Sequence, residues 1–303
     1  MVDATDTPAA DPSGIIPAEL LGNIERLYPS FSKGLKAVAD YILHNPATFC
    51  FLPVQELAHR ANVSHATVLR FCKALGYSGF LEFSREVQQI VQAGLSSVNR
   101  FDLTKDYLDS PREKQTLFAT ALDMEIQALV ATARSIPHEE VERCVSMMVR
   151  ADHIFIVGAM ASCSLALHLE QTLSRATSNA YLVPAWSAQT VAMLDRVTPQ
   201  SLVIGIAFPR YPSLTLDFVK LAKETNCSVI AITNTPHSPL AKLADRSLFV
   251  PAPMLSYIDL YAAPIAVCTA LVLEYSSRDP KKTAERLSMF DKTASRQHLF
   301  FHK

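Results

Sequence analysis

The sequence predicts two domains of different class: an all-α helix-turn-helix domain, then an α/β domain whose five-stranded parallel sheet is flanked by helices in an αβα sandwich. Three observations carry this. Residues 53–83 hold two short amphipathic segments joined by a tight turn, with a third segment behind them. From about residue 150, five short apolar runs alternate with helical patterns. Buried strands separated by helices mean a parallel sheet covered on both faces. Between the two regions, residues 95–114 are polar with weak periodicity, as a partly helical linker is.

Residues 1–18 are acidic and rich in Pro and Ala. They lack the basic start and apolar centre of a signal peptide and read as a disordered tail. The helical domain then spans residues 20–94. An amphipathic helix is expected over Ser32–Leu43, ending at His44-Asn45-Pro46, with one further turn over Thr48–Leu52. The next helix, Val54–Ala61, buries Leu57 and Ala58, and Val63 closes the corner. Ser64 sits where an N-cap belongs, its side-chain oxygen able to satisfy exposed amides of the following turn. The helix His65–Leu75 turns Val68, Leu69, Cys72 and Leu75 to one face and Ser64, His65, Thr67, Arg70 and Lys73 to the other. Gly76 stops it as a left-handed C-cap residue does. A last helix follows over about Ser78–Gln92. The polar, basic outer face of the second helix suits a DNA major groove; by pattern alone an ordinary helical hairpin fits as well.

The run VSHATVLRFCKALGYSGFLEF, residues 63–83, resembles the recognition helix and following turn of the RpiR-type bacterial transcriptional regulators. The resemblance implies binding to double-stranded DNA. Thr67 and Arg70 would reach base edges, while Ser64, His65 and Lys73 would contact bases or phosphates.

Composition bounds the rest. A chain of 303 residues with 49% hydrophobic and 19% charged residues buries a sizeable core. No apolar run of about 20 residues lacks polar interruption, so no membrane span is expected. The net charge is −1. Residues 24–94 carry seven Lys or Arg against five Asp or Glu. So mild a basic excess gives one head weak affinity, because phosphate contacts supply most non-specific binding. A dimer or tetramer adding several weak contacts is therefore expected. The six cysteines lie far apart without a CxxC pair, which fits a reducing cytoplasm and free thiols. The nine histidines show no ligand spacing, so no metal and no cofactor are expected.

The second domain, 115–303, opens with helices over 115–135 and 138–150. Strands are expected at 153–157, 179–183, 201–208, 228–233 and 247–250. Helices are expected at Ser162–Ala176, Ser187–Leu194, 213–224 and Asp259–Ser277. Ligands on such sheets bind beyond the carboxyl ends of the strands. There the loop VGAMASCSLA brings Gly158, Ser162 and Ser164 to a helix start, an arrangement suited to an anion; taken alone, Ser162 reads first as a plain N-cap. AFPRYPS presents Arg210 between prolines, and Ser213. Arg210 suits a phosphate or carboxylate, or a partner chain. ITNTPHSPLA supplies Thr233, Asn234, His237 and Ser238, and Trp186 with Ser187 follows the second strand.

Residues 138–277 resemble the SIS (sugar isomerase) domain, which binds phosphosugars and forms dimers. Gly158, Ser162 and Ala166 match the first glycine, the serine and the following alanine of the family's first loop; Met160 replaces its second glycine. The family's Ser-x-Ser-Gly loop aligns with Ala207, Phe208, Pro209 and Arg210, so both serines and the glycine are replaced. AFPRYPS resembles a variant in one branch of the RpiR-type regulators. TNTPHSPLAKLAD resembles the family's TD-x-x-x-SPLA-x-x-AD stretch, with Asn234 at the acidic position. The resemblance implies a DNA-binding regulator whose α/β half senses a phosphosugar or other small acidic effector at Gly158, Ser162, Ser164, Ser187, Arg210, Ser213, Thr233, Asn234 and Ser238. A constitutive regulator with a ligand-free dimerising half stays open. So does an isomerase, for which His168, Glu170 and Glu274 are the candidate acid–base groups. No catalytic role is expected.

Overall fold

The computed structural model describes residues 18–45, 49–94, 96–101, 116–183 and 185–299. The chain divides into two compact units, residues 1–110 and 111–303.

The described residues of the first unit include helices α1 (Ala18–Leu27), α2 (Lys33–His44), α3 (Val54–Arg60), α4 (His65–Ala74) and α5 (Phe80–Gly94). The expected helices appear within about two residues. Helix α1 is additional to the expected elements and starts at Ala18, the last residue of the expected tail; the rest of that tail lies outside the described residues. A 3-10 turn at Phe49–Phe51 stands where a further turn was expected, while Thr48 lies outside the described residues. Most of the expected linker does too; residues 97–101 are helical.

Leu57, Ala58, Val68 and Cys72 are buried as expected. The expectation for α4 needs one correction: Leu69 and Leu75 are half-buried, and Phe71 is fully buried. Its ring packs edge-on against Phe31 at 5.5 Å and Phe83 at 6.2 Å between centroids. At about 100° per residue, position 71 flanks the stripe of 68, 72 and 75 on the side of 75, about 40° beyond it, and position 69 lies about 60° beyond 72 on the other side. Leu20 and Ile24 of α1 complete the same core.

The second unit begins with α6 (Leu117–Ser135) and α7 (His138–Arg150). Strand and helix then alternate through β1 (Ile154–Val157), α8 (Cys163–Ala176), β2 (Ala180–Val183), α9 (Ala188–Leu194), β3 (Leu202–Ile206), α10 (Ser213–Lys223), β4 (Ser228–Thr233) and β5 (Arg246–Phe249). The five strands lie in the order β2-β1-β3-β4-β5, all parallel. Val157 stands opposite both Val183 and Gly205, and Thr233 opposite Phe249.

Successive strand residues point to opposite faces. Ile154, Ile156, Ile204, Ile206, Ile230 and Ile232 join side chains of α7, α8 and a later helix, α11 (Ala262–Arg278). Phe155, Val157, Val203, Val229 and Ala231 meet Phe218, Val219 and Ala222 of α10 on the other face. Two cores thus hold the sheet between helical layers.

Two further features of this unit lie outside the expected elements. A small antiparallel hairpin pairs β6 (Met254–Leu255) with β7 (Ile258–Asp259). Helix α12 (Pro280–Arg296) follows α11, and the Asp279 side chain caps it by accepting from Lys282 N at 3.0 Å. Helix α12 is mostly polar, and Ala294 is its buried residue. Arg286 donates to the Thr177 carbonyl at 3.3 Å, and Arg175 of α8 lies 5.3 Å from the Phe290 ring centroid.

Five of the six cysteines are buried and Cys163 is half-buried; all are free thiols. Burial pushes the Cys72, Cys144 and Cys268 thiols up to about 12, so they act as small hydrophobes. Among the described residues, no helix is long and apolar enough to cross a membrane, and no three His, Cys, Asp or Glu side chains gather as a metal ion needs.

Candidate nucleic-acid interface and strand-end site

Two regions carry the candidate residues. In the first, the turn between α3 and α4 is closed by Val63 N donating to Ala58 O at 2.9 Å. Asn62 adopts φ 53° there, a left-handed conformation that asparagine tolerates. Ser64 caps α4: its Oγ accepts from Thr67 N at 3.3 Å. Gly76 ends the element at φ 98°.

The outer face of α4 is a connected set rather than five separate side chains. Ser64 Oγ lies 2.9 Å from Thr67 Oγ1. Arg70 donates from Nη2 to Thr67 Oγ1 and from Nε to the Ala66 carbonyl, each at 3.3 Å. Thr67 is half-buried. A Cβ placed on Gly34 of α2 would come within 3.1 Å of its Cγ2 methyl, so α2 and α4 approach closely there. Ser64, His65, Arg70 and Lys73 are exposed.

In the second region, the strand order sets the site. The chain runs from β1 out to β2, then returns past β1 to β3. The β1 and β3 carboxyl ends therefore flank a topological switch point, where open α/β sheets bind ligands. The loops after these strands hold Gly158–Ser164 and Ala207–Ser213. Ala159 N donates to the buried Thr215 Oγ1 of α10 at 3.1 Å and so joins them. Sequence reasoning passed over Thr215. The signal was a hydroxyl in the first turn of the helix after β3.

The glycine positions of the family resemblance divide by physical requirement. At Gly158 the requirement is space: a Cβ would lie 2.6 Å from the Ser162 carbonyl oxygen and 3.1 Å from Ala166 Cβ. At Met160 and Arg210 the requirement is conformation. Both retain a left-handed backbone, φ 55° and 68°, which suits glycine far better than a side chain with a Cβ. Met160 is 82% exposed, and Arg210 is exposed as well.

Most of the expected ligand hydroxyls already have partners within the fold. Ser164 Oγ donates to the Ala161 carbonyl at 2.9 Å. Ser187 caps α9, accepting from Thr190 N at 3.2 Å. Ser238, buried, accepts from Ala241 N at 3.0 Å. Thr233 is buried and donates to Asn234 Oδ1 at 3.4 Å; Tyr211 Oη donates to the same oxygen at 2.9 Å. The Asn234 Nδ2 is buried with no hydrogen-bond partner among the described residues. Ser162 is buried and precedes α8, but its side chain makes no cap hydrogen bond. Ser213 opens α10 and is exposed. Trp186 stands 6.5 Å from Phe218 between ring centroids and keeps an exposed edge.

The candidate acid–base groups sit elsewhere. His168 and Glu170 are on α8, and Glu274 is on α11; none lies on a strand-end loop. His168 Nε2 is 2.9 Å from Thr269 Oγ1. Burial holds the Glu170 carboxyl above the usual carboxylate range.

Comparison with known proteins agrees with both halves. Residues 18–94 match the helix-turn-helix domain of the rpiR family, and residues 147–274 match the SIS domain. Among curated relatives, an uncharacterised HTH-type transcriptional regulator of Haemophilus influenzae is 26% identical over 236 residues, covering 76% of this chain and 78% of its own. The HTH-type transcriptional regulator HexR of Pseudomonas aeruginosa is 28% identical over 239 residues, covering 77% and 79%. Among solved structures, the sugar isomerase domain of an RpiR transcription factor from Sphaerobacter thermophilus is 25% identical with a TM-score of 0.56; the match covers 59% of this chain and 99% of that one. The Vibrio vulnificus NanR protein, complexed with ManNAc-6P, shares the fold at 21% identity and a TM-score of 0.59, covering 92% and 98%. An rpiR-family helix-turn-helix followed by a SIS domain, in a chain whose relatives along three-quarters of its length are HTH-type regulators, makes this protein a member of the RpiR family of transcriptional regulators.

Proposed function

We propose that the protein binds operator DNA through α4, as a dimer or higher oligomer, and that a small anionic effector at the β1–β3 switch point alters that binding. The observation that carries the DNA reading is the capped, connected outer face of α4, with Arg70 and Lys73 exposed on it. In this reading Arg70 reads a base edge, Ser64, His65 and Lys73 contact bases or phosphates, and Thr67 holds Arg70 in place through its hydroxyl. Arg70→Ala is expected to lower specific affinity by about 1–3 kcal/mol, the size of a lost bidentate base contact. Non-specific affinity at the same salt should fall far less. A gel-shift titration against a selected operator and a scrambled duplex reads both; an equal loss on the two would remove Arg70 from base recognition.

Self-association is supported by α6. Phe118, Leu122, Ile126 and Val130 recur every four residues and form an exposed apolar ladder; Phe118 is 75% and Ile126 54% exposed. A contiguous exposed apolar face marks an interaction surface, and a second copy would bring two weakly binding heads together. Ile126→Glu is therefore expected to shift the sedimentation profile toward monomer and to weaken operator binding together with it. An unchanged oligomer would move the interface off this ladder.

The effector reading rests on the switch point with Arg210 beside it, and on the fold shared with NanR, whose own complex contains ManNAc-6P. An effector acts only by binding one DNA-binding state better than another. The operator titration repeated with candidate anions tests this; affinity indifferent to all of them would favour a constitutive regulator.

A further inference from the structure

We propose that α2 carries a second DNA contact, in which Lys33 and Lys36 hold phosphates on the wall of the major groove that α4 enters. This rests on the DNA reading above and extends it to a flank of the domain outside α4.

The geometry starts at Thr67. Its hydroxyl belongs to the network of Ser64 and Arg70. Its methyl faces Gly34, where an added Cβ would stand 3.1 Å away. The first turn of α2 therefore lies directly beside the face of α4 that reads bases. A helix with its side chains is about 10–12 Å across, and the major groove is about 12 Å wide. Helix α4 thus fills the groove. A neighbour packed with its axis about 8–10 Å away meets the phosphates that border it.

Helices α2 and α3 both pack against α4, and charge decides between them. The first turn of α3 holds Glu56, which pairs with Arg60 at 2.7 Å. The first turn of α2 holds no acid. Lys33 is exposed there. Lys36 follows one turn on, with Nζ 5.3 Å from the centroid of the Tyr28 ring, a cation–π contact that steadies a long side chain. Asp40, the acid of α2, already accepts from Tyr28 Oη at 2.7 Å. The α2 flank thus offers two cations beside the reading face, and the α3 flank a pair that neutralises itself. A lysine ammonium is a point charge suited to phosphate. Such contacts fix register on the duplex and carry no sequence information.

The test measures binding of the full chain to the selected operator and to the scrambled duplex across a salt series, for wild type, Lys33→Gln, Lys36→Gln and Arg60→Gln. Each lysine variant should weaken both duplexes alike, by roughly three- to tenfold at fixed salt, and lessen the slope of log K against log salt by about 0.9. Lys33→Arg should restore the slope. Arg60→Gln removes the same charge from α3 and should keep the wild-type slope. An unchanged slope in either lysine variant, with Arg70→Ala still losing operator preference, would leave the α4 reading intact and overturn the α2 contact. A slope lessened equally by Arg60→Gln would also overturn it, because net charge and not position would then be responsible. A wild-type chain that binds neither duplex would overturn this inference and the DNA reading together.

Discussion

Phe71→Ala is expected to destabilise the helix-turn-helix domain by about 3–5 kcal/mol, the usual cost of truncating a buried aromatic. The ring is fully buried and edge-packed between Phe31 and Phe83, so no neighbour replaces the lost contacts without moving a helix. A domain of this size has only about 5–15 kcal/mol of stability in all. Much of it would go, and with it the presentation of Ser64, Arg70 and Lys73. Hydrogen exchange of the α4 amides in a urea series measures this. The midpoint should fall sharply for α2 through α5 amides. An unchanged midpoint would mean that the aromatic cluster does not hold the domain.

Gly158→Val should cost the second domain about 3 kcal/mol or more, the upper range for overpacking a filled site. The obstacle is backbone: the Ser162 carbonyl oxygen lies 2.6 Å from the position of a Cβ. Neither it nor Ala166 Cβ, at 3.1 Å, can rotate away as a long side chain does. Relief requires moving the start of α8 away from β1, which would break the Ala159–Thr215 hydrogen bond across the switch point. The melting temperature of the second domain and the wild-type effector response should fall together. The contrast is with Met160→Gly and Arg210→Gly, where the change relieves conformation rather than filling space. Stability lost equally at all three positions would refute this division between steric and conformational glycine sites.

The sequence alone determined the local structure. Ser64 and Gly76 mark the ends of α4 because a cap and a left-handed stop act through neighbouring residues. The central strands β1, β3 and β4 were legible because residues buried on both faces read as unbroken apolar runs; the edge strands β2 and β5 are only partly buried and were legible by their place in the alternation of strand and helix. The same dependence on pattern explains the misses. Helix α12 is polar overall and carries only a thin stripe of Ala284, Leu287, Phe290 and Ala294, although Asp279 and Pro280 signalled its start; the hairpin at Met254–Asp259 is too short to show a period.

What only the tertiary structure decided is which groups meet. The strand order made the β1 and β3 loops neighbours and brought Thr215 to the amide of Ala159, a contact 56 residues apart in the chain. The structure also showed that hydroxyls expected to face a ligand are engaged elsewhere, at Ser187, Thr233 and Ser238. It showed that Met160 and Arg210 keep a glycine's backbone. The physical reason is range. Helical period, caps and apolar runs depend on residues a few positions apart, so sequence carries them. A hydroxyl's partner or a backbone dihedral held by packing depends on whatever the fold places across from it, and only the assembled sheet and helices determine that.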